Sequence, residues 1–246
     1  MRLLPYTSRA IAFAAVLCAV PALHAAKKAP PAPDASTVAA RDTHEKDKVT
    51  VAAEPFDTRG KADFFRNDYV GHSILPIRLF VKNDSDTPLD LSDVRIQFIA
   101  ADGTKLPAAT PDELNRRLFR FKDIQPRHIP GTPITYHSTP VDKKILDDDK
   151  DFSFTETTVA PHATATGFLF YDTRDLDDPV LRHAEIYLKQ AHFADAKHTE
   201  LFAFSVPLEK YVDAEKAAKA AAAKDSPAQD TDGIHGTSAK QQNGKF

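Results

Sequence analysis

The chain has 246 residues, 27% of them charged, with a formal net charge of −3, one cysteine and no tryptophan. That balance disfavours binding to nucleic acid through bulk charge, and a lone cysteine excludes an internal disulfide framework. The length suits one domain with tails or two small domains, and composition along the chain favours the first.

Arg2 and Arg9 supply a positive n-region, Ala10 to Ala19 is apolar, and Pro21 breaks the run before Ala22-Leu23-His24-Ala25. This pattern reads as a secretory signal peptide over residues 1–25. The apolar run is roughly half of the ~20 residues a spanning helix needs, and no later stretch replaces it. The expectation is an exported, soluble protein, periplasmic or extracellular, with no membrane span after cleavage. Cys18 lies inside the apolar run behind Leu17, against a lipid-anchored reading, so the mature chain would carry no thiol chemistry. Loss of the two arginines takes the charge from −3 to −5.

Residues 26–48 are mostly Ala, Pro, Lys and Asp with few large apolar side chains, which predicts a disordered spacer. The folded domain is expected over 49–212. Val49 to Ala53 opens it as a strand. Phe64, Phe65 and Tyr69 beside Arg66 precede the first long strand, in the kind of loop where recognition surfaces sit. Leu75, Ile77, Leu79 and Val81 then alternate with Pro76, Arg78, Phe80 and Lys82, the pattern of a half-buried strand with Pro76 near its start or at an edge. Val94, Ile96, Phe98 and Ala100 repeat the alternation before the Asp102-Gly103 turn.

Thr110-Pro111-Asp112-Glu113 carries the marks of a helix start: a threonine cap, proline at the first helical position and glutamate placed to close a capping box. Leu114 and Leu118 follow at i, i+4, predicting one short crossover helix that ends near Phe119. Phe152 to Val159, Gly167 to Tyr171, Ala184 to Leu188 and Leu201 to Leu208 read as later strands. Ala214 to Lys224 has good helix propensity, Asp225-Ser226-Pro227 stops it, and a polar tail runs to Phe246, so 213–246 is expected as an Ala/Lys helix and disordered tail.

Many short strands, turn clusters and one crossover helix predict an all-β protein, an antiparallel β-sandwich. The run Ser73 to Asp84, an apolar strand ending in an Asn-containing turn, resembles the strand-to-turn segment of immunoglobulin-like domains in exported bacterial proteins. Val159-Ala160-Pro161-His162 and Gly167-Phe168-Leu169-Phe170-Tyr171 are similar to the later turn and aromatic strand of such domains. The resemblance covers about Val49 to Leu208. The absence of a cysteine pair and a tryptophan sets the chain apart from antibody-type domains. It implies an immunoglobulin-like fold and an extracytoplasmic compartment, with no activity attached.

Four clusters carry possible chemistry. Gly71-His72-Ser73-Ile74-Leu75 begins like a nucleophile elbow, but Leu75 stands where a small residue is needed and a strand follows. In the acidic stretch Leu146 to Asp151, read as a loop, the alternating carboxylates Asp147, Asp149 and Asp151 are a candidate calcium site, with Asp172, Asp175, Asp177 and Asp178 as a second cluster to complete it. Arg116, Arg117 and Arg120, with Lys122, Arg127 and His128 close by, are a candidate anion site because guanidinium pairs bidentately with carboxylate or phosphate. His192, His198 and the His183-Ala184-Glu185 segment match no zinc spacing. Apart from possible calcium, no cofactor is implied.

The resulting expectation is a non-catalytic exported binding or accessory module with an unidentified protein or cell-envelope partner and no nucleic acid. A hydrolase with a dispersed active site and a calcium-stabilised adhesive domain are the alternatives.

Overall fold

The computed structural model describes residues 28–119, 127–128, 130–132, 135–136 and 139–225. The stretch expected to be a signal peptide, Arg120 and the tail after residue 225 lie outside the described residues. In chain order the elements are β1 (Arg41–His44), β2 (Val49–Pro55), β3 (Ile74–Asn83), β4 (Leu89–Asp90), β5 (Arg95–Ile99), β6 (Lys105–Pro107) and α1 (Pro111–Leu118). They continue through β7 (Arg127–His128), β8 (Thr135–Tyr136), α2 (Val141–Phe152), β9 (Thr158–Val159), β10 (Ala163–Asp172), β11 (Glu185–Lys189), β12 (His192–Phe193), β13 (Phe204–Pro207) and α3 (Glu209–Asp225). The described protein is predominantly β, in antiparallel sheets, with few helices.

Two four-stranded sheets dominate, ordered β1-β2-β3-β10 and β13-β11-β5-β6. Leu75, Ile77, Leu79 and Val81 of β3 share one buried core with Phe98 of β5, Ile186 and Leu188 of β11, and Phe204 and Val206 of β13. Period-two alternation produces this directly, because every second side chain points to the same face. Pro76 fits inside β3 because β2 has ended where its missing N–H would point. Its carbonyl on that side accepts from Phe56 N at 2.8 Å. The sheet edges are tied together: Ser205 N donates to Asp42 Oδ2 at 2.9 Å between β13 and β1, and Ala109 N donates to Phe170 O at 2.7 Å between β6 and β10. The bonds occupy an edge amide of β13 and an edge carbonyl of β10 that would otherwise be open to another strand.

Three expectations are corrected. First, β3 is buried on both faces rather than one. Its second face, Ile74, Arg78, Phe80 and Lys82, lies beneath an outer layer made of residues 28–40, the segment 56–73, α1 and α2. Residues 28–48 are accordingly not a free spacer: Ala35 and Val38 pack with Ala52 and Phe80, and β1 pairs with β2. Small side chains suffice there because the sheet beneath already supplies Phe80. Phe64, Phe65 and Tyr69 are likewise buried, in a cluster with Phe56, Phe168 and Phe170. The Phe65 ring makes edge-on contacts with Tyr69, Phe152, Phe168 and Phe170 at centroid distances of 5.1–5.4 Å, each about 0.5–1.5 kcal/mol beyond burial.

Second, the acidic stretch is helix, not loop, so α1 is not the one crossover helix. Val141, Ile145, Asp148 and Phe152 fall at i, i+4, i+7 and i+11, one helical stripe. Asp148 occupies an apolar position of that stripe and hides the period. The strand expected over 152–159 shrinks to β9. Third, the strand expected from Leu201 starts only at Phe204, and Phe202 is 87% exposed. The Ala/Lys helix begins earlier than expected, at Glu209, because Tyr211 packs into the core.

Candidate functional site

At the end of the sheets where β3 begins and β10 finishes, two cavities flank Ile74. The first, about 300 Å³, lies between α1 and the β6 edge. Its walls follow from local chemistry. Thr110 Oγ1 accepts from Glu113 N at 3.3 Å and Glu113 Oε2 accepts from Thr110 N at 2.8 Å, so the capping box forms as the sequence predicts. Donation from Thr110 N and Thr110 Oγ1 holds the Glu113 carboxyl below its ordinary pKa. Leu114 and Leu118 bury into the aromatic cluster, and Leu114 with Ile74, Leu106, Pro107 and Ala109 forms an apolar floor.

Arg116 and Arg117 line the same cavity. Arg117 Nη2 donates to Asp172 Oδ1 at 2.5 Å, while its Nε is buried and makes no hydrogen bond among the described residues. Asp172 also accepts from Arg174 N at 3.3 Å and meets the Arg174 guanidinium at 3.5 Å. Arg116 is exposed and acts on Glu113 through its field. Two members of the expected anion site therefore sit together, and Arg120 lies outside the described residues. Sequence reading missed the apolar floor and set Asp172 in a calcium cluster rather than beside Arg117, because β6, α1 and β10 meet only through long-range pairing.

The second cavity, about 310 Å³, is bounded by Ser73, Leu75, Thr173, Asp57, Asp178 and Val212. Ser73 has a left-handed backbone, φ 59°, and its carbonyl accepts from Thr173 N at 2.9 Å and Thr173 Oγ1 at 3.0 Å. Beside it, Tyr211 OH donates to Asp57 Oδ1 at 3.1 Å, and Lys61 Nζ donates to both Tyr211 OH and Glu215 Oε1. Burial, with the Asp57 and Glu215 charges, pushes the Tyr211 hydroxyl far up. The group anchors α3.

The calcium candidates do not converge. On helix α2, Asp147 and Asp151 share a face at i, i+4 whereas Asp149 points away. Asp151 Oδ2 accepts from Arg66 Nη2 at 2.5 Å, and Asp149 Oδ1 accepts from Ser153 Oγ at 2.6 Å. Among the described residues no group of three His, Cys, Asp or Glu side chains is placed to hold a metal ion. His183 precedes β11 rather than lying on it and pairs with Glu209 Oε2 at 3.0 Å.

Asp148, which the sequence did not single out, is the one fully buried carboxylate among the described residues. It accepts from Arg66 N at 3.1 Å, Arg66 Nη1 at 2.9 Å and Tyr69 OH at 3.1 Å. Burial raises its pKa against the opposing pull of these donors. It joins α2 to the 56–73 segment.

Compared with known protein families, curated proteins and solved structures, the chain matches none. No helix among the described residues is long and apolar enough to cross a membrane.

Proposed function

We propose that the chain is a non-catalytic, exported binding or accessory module on an immunoglobulin-like β-sandwich, whose ligand-contacting end carries α1 and the start of β3. The observation that supports this reading is the commitment of the carboxylates around the first cavity: Glu113 is held in the helix cap and Asp172 between Arg117 and Arg174. Groups so engaged suit holding a ligand in place. A general acid or base needs a pKa near the working pH, and Glu113 is shifted the other way.

The test is fractionation of cells producing the full chain, with crosslinking before lysis. A product cleaved near Ala25 in the exported fraction, held in a defined complex that Arg116→Glu abolishes, supports the proposal. An uncleaved cytoplasmic chain overturns it.

The left-handed Ser73 on the second cavity, between Asp57 and Asp178, favours the hydrolase as second reading. Labelling by a fluorophosphonate that Ser73→Ala removes would move the assignment there.

A further inference from the structure

We infer that the cavity between α1 and β6 binds a small monocarboxylic acid with an apolar body, such as a medium-chain aliphatic acid. The inference rests on the binding-module reading and names the ligand class.

Shape supplies the first half of the argument. The floor of Ile74, Leu106, Pro107, Ala109 and Leu114 is apolar, and about 300 Å³ is at the small end of ligand cavities, suited to one short chain or ring. A strongly polar ligand would lose its hydration on that floor without regaining hydrogen bonds.

Charge supplies the second half. Arg116 and Arg117 line the cavity with the carboxylates Glu113 and Asp172, and Arg174, outside the lining, meets Asp172 at 3.5 Å, so these five groups carry three positive charges against two negative. Both carboxylates already accept from two or more donors: Glu113 from Thr110 N and Oγ1, and Asp172 from Arg117 and Arg174. One positive charge is left over. It belongs to Arg116, which forms no hydrogen bond or ion pair among the described residues. Arg117 lines the same cavity, with its Nη2 committed to Asp172 and its Nε buried, so Arg116 is the guanidinium open to a ligand. A carboxylate accepts a guanidinium fork with two oxygens and balances a single excess charge. A phosphate dianion would overshoot it.

The test is calorimetry and amide chemical-shift mapping on the chain from residue 26 to 246, titrated with decanoate below its aggregation threshold and, in parallel, with decanol. The expected result is saturable one-to-one binding of decanoate, shifts centred on residues 74, 106–117 and 172, and at least about tenfold weaker binding of decanol. Arg116→Gln, a change at an exposed side chain, should weaken decanoate about tenfold while leaving the thermal midpoint of the free protein unchanged. Equal affinity for acid and alcohol, an unaffected Arg116→Gln variant, shifts mapping to the other cavity, or no saturable binding would each overturn the inference. If decanoate fails while the crosslinked complex survives, the ligand class is wrong and the binding module stands. If the complex is missing and decanoate still binds through Arg116, the cavity is a ligand site and the partner reading falls.

Discussion

Asp148 and Arg78 are buried charges whose neighbours were chosen by folding rather than by sequence proximity. Removing Asp148 strands Arg66 N, Arg66 Nη1 and the Tyr69 hydroxyl inside the outer layer. Asp148→Ala should therefore cost about 3 kcal/mol, toward the low end for a broken buried pair because Arg66 keeps some exposure, as read by urea unfolding; a loss under about 1 kcal/mol would show the cluster to be dispensable. Arg78 donates through Nε and Nη2 to Glu54 Oε2 at 3.0 and 2.7 Å and through Nη1 to Pro30 O at 2.7 Å. Its guanidinium lies 5.2–5.6 Å from the ring centroids of Phe56, Phe80 and Phe168. Arg78→Lys keeps the charge but cannot span both acceptors, so about 2 kcal/mol should be lost in the same measurement. Neither residue was legible beforehand. The Thr110 cap was, because its partner is three positions away, whereas Asp148 finds Arg66 82 positions back along the chain. Arg116 and Arg117 were legible as a pair of cations, and their apolar neighbours were not.

Among the elements, β10 makes its closest approach at Gly167, where an added Cβ would fall on the Phe154 backbone well inside contact distance. Phe154 N donates to Phe168 O at 3.0 Å just beside it, so the backbone cannot step aside without losing a bond. Gly167→Ala should cost about 2 kcal/mol or more in thermal or urea melts; a neutral effect would mean the 153–154 crossing is loose. Helix α3 divides in two. Tyr211 is buried, while residues 216–223 are exposed all round. Hydrogen exchange should therefore protect the amides near Val212 and Asp213 far more than those beyond Lys219, since the outer part has only its own propensity to hold it. Uniform protection along α3 would point to a contact on its outer turns. The core faces of β3, β5 and β13 were readable from alternation, whereas β1, β4, β6 and β12 and the burial of the second face of β3 were not. Nor was helix α2, because Asp148 stands where the helical stripe calls for an apolar side chain.

Acidification acts on the whole molecule. Asp34, Asp90, Asp102, Glu113, Asp195 and Glu215 are all held below their ordinary values, chiefly by hydroxyl, backbone or lysine donors. A carboxyl whose folded pKa is depressed contributes stability that is present above its unfolded value and lost as pH falls through the folded one. Asp148 runs the other way, its raised pKa favouring the fold as it protonates. Six groups against one set the sign. The urea midpoint should hold near neutral pH and fall once pH drops below the ordinary carboxylate values of 3.8 and 4.5; a midpoint rising from pH 5 to pH 3 would contradict this balance.

The pairing of β3 with β10 has a kinetic consequence. Ile74 and Asp172 are register partners, about a hundred positions apart, so the chain closes a very large loop before its central strand acquires its second neighbour, which places refolding in the slow, millisecond-to-second range of non-local β proteins. Until that closure, the hydrogen-bonding edge of β3 is open to other chains. Dilute refolding should succeed where concentrated refolding aggregates.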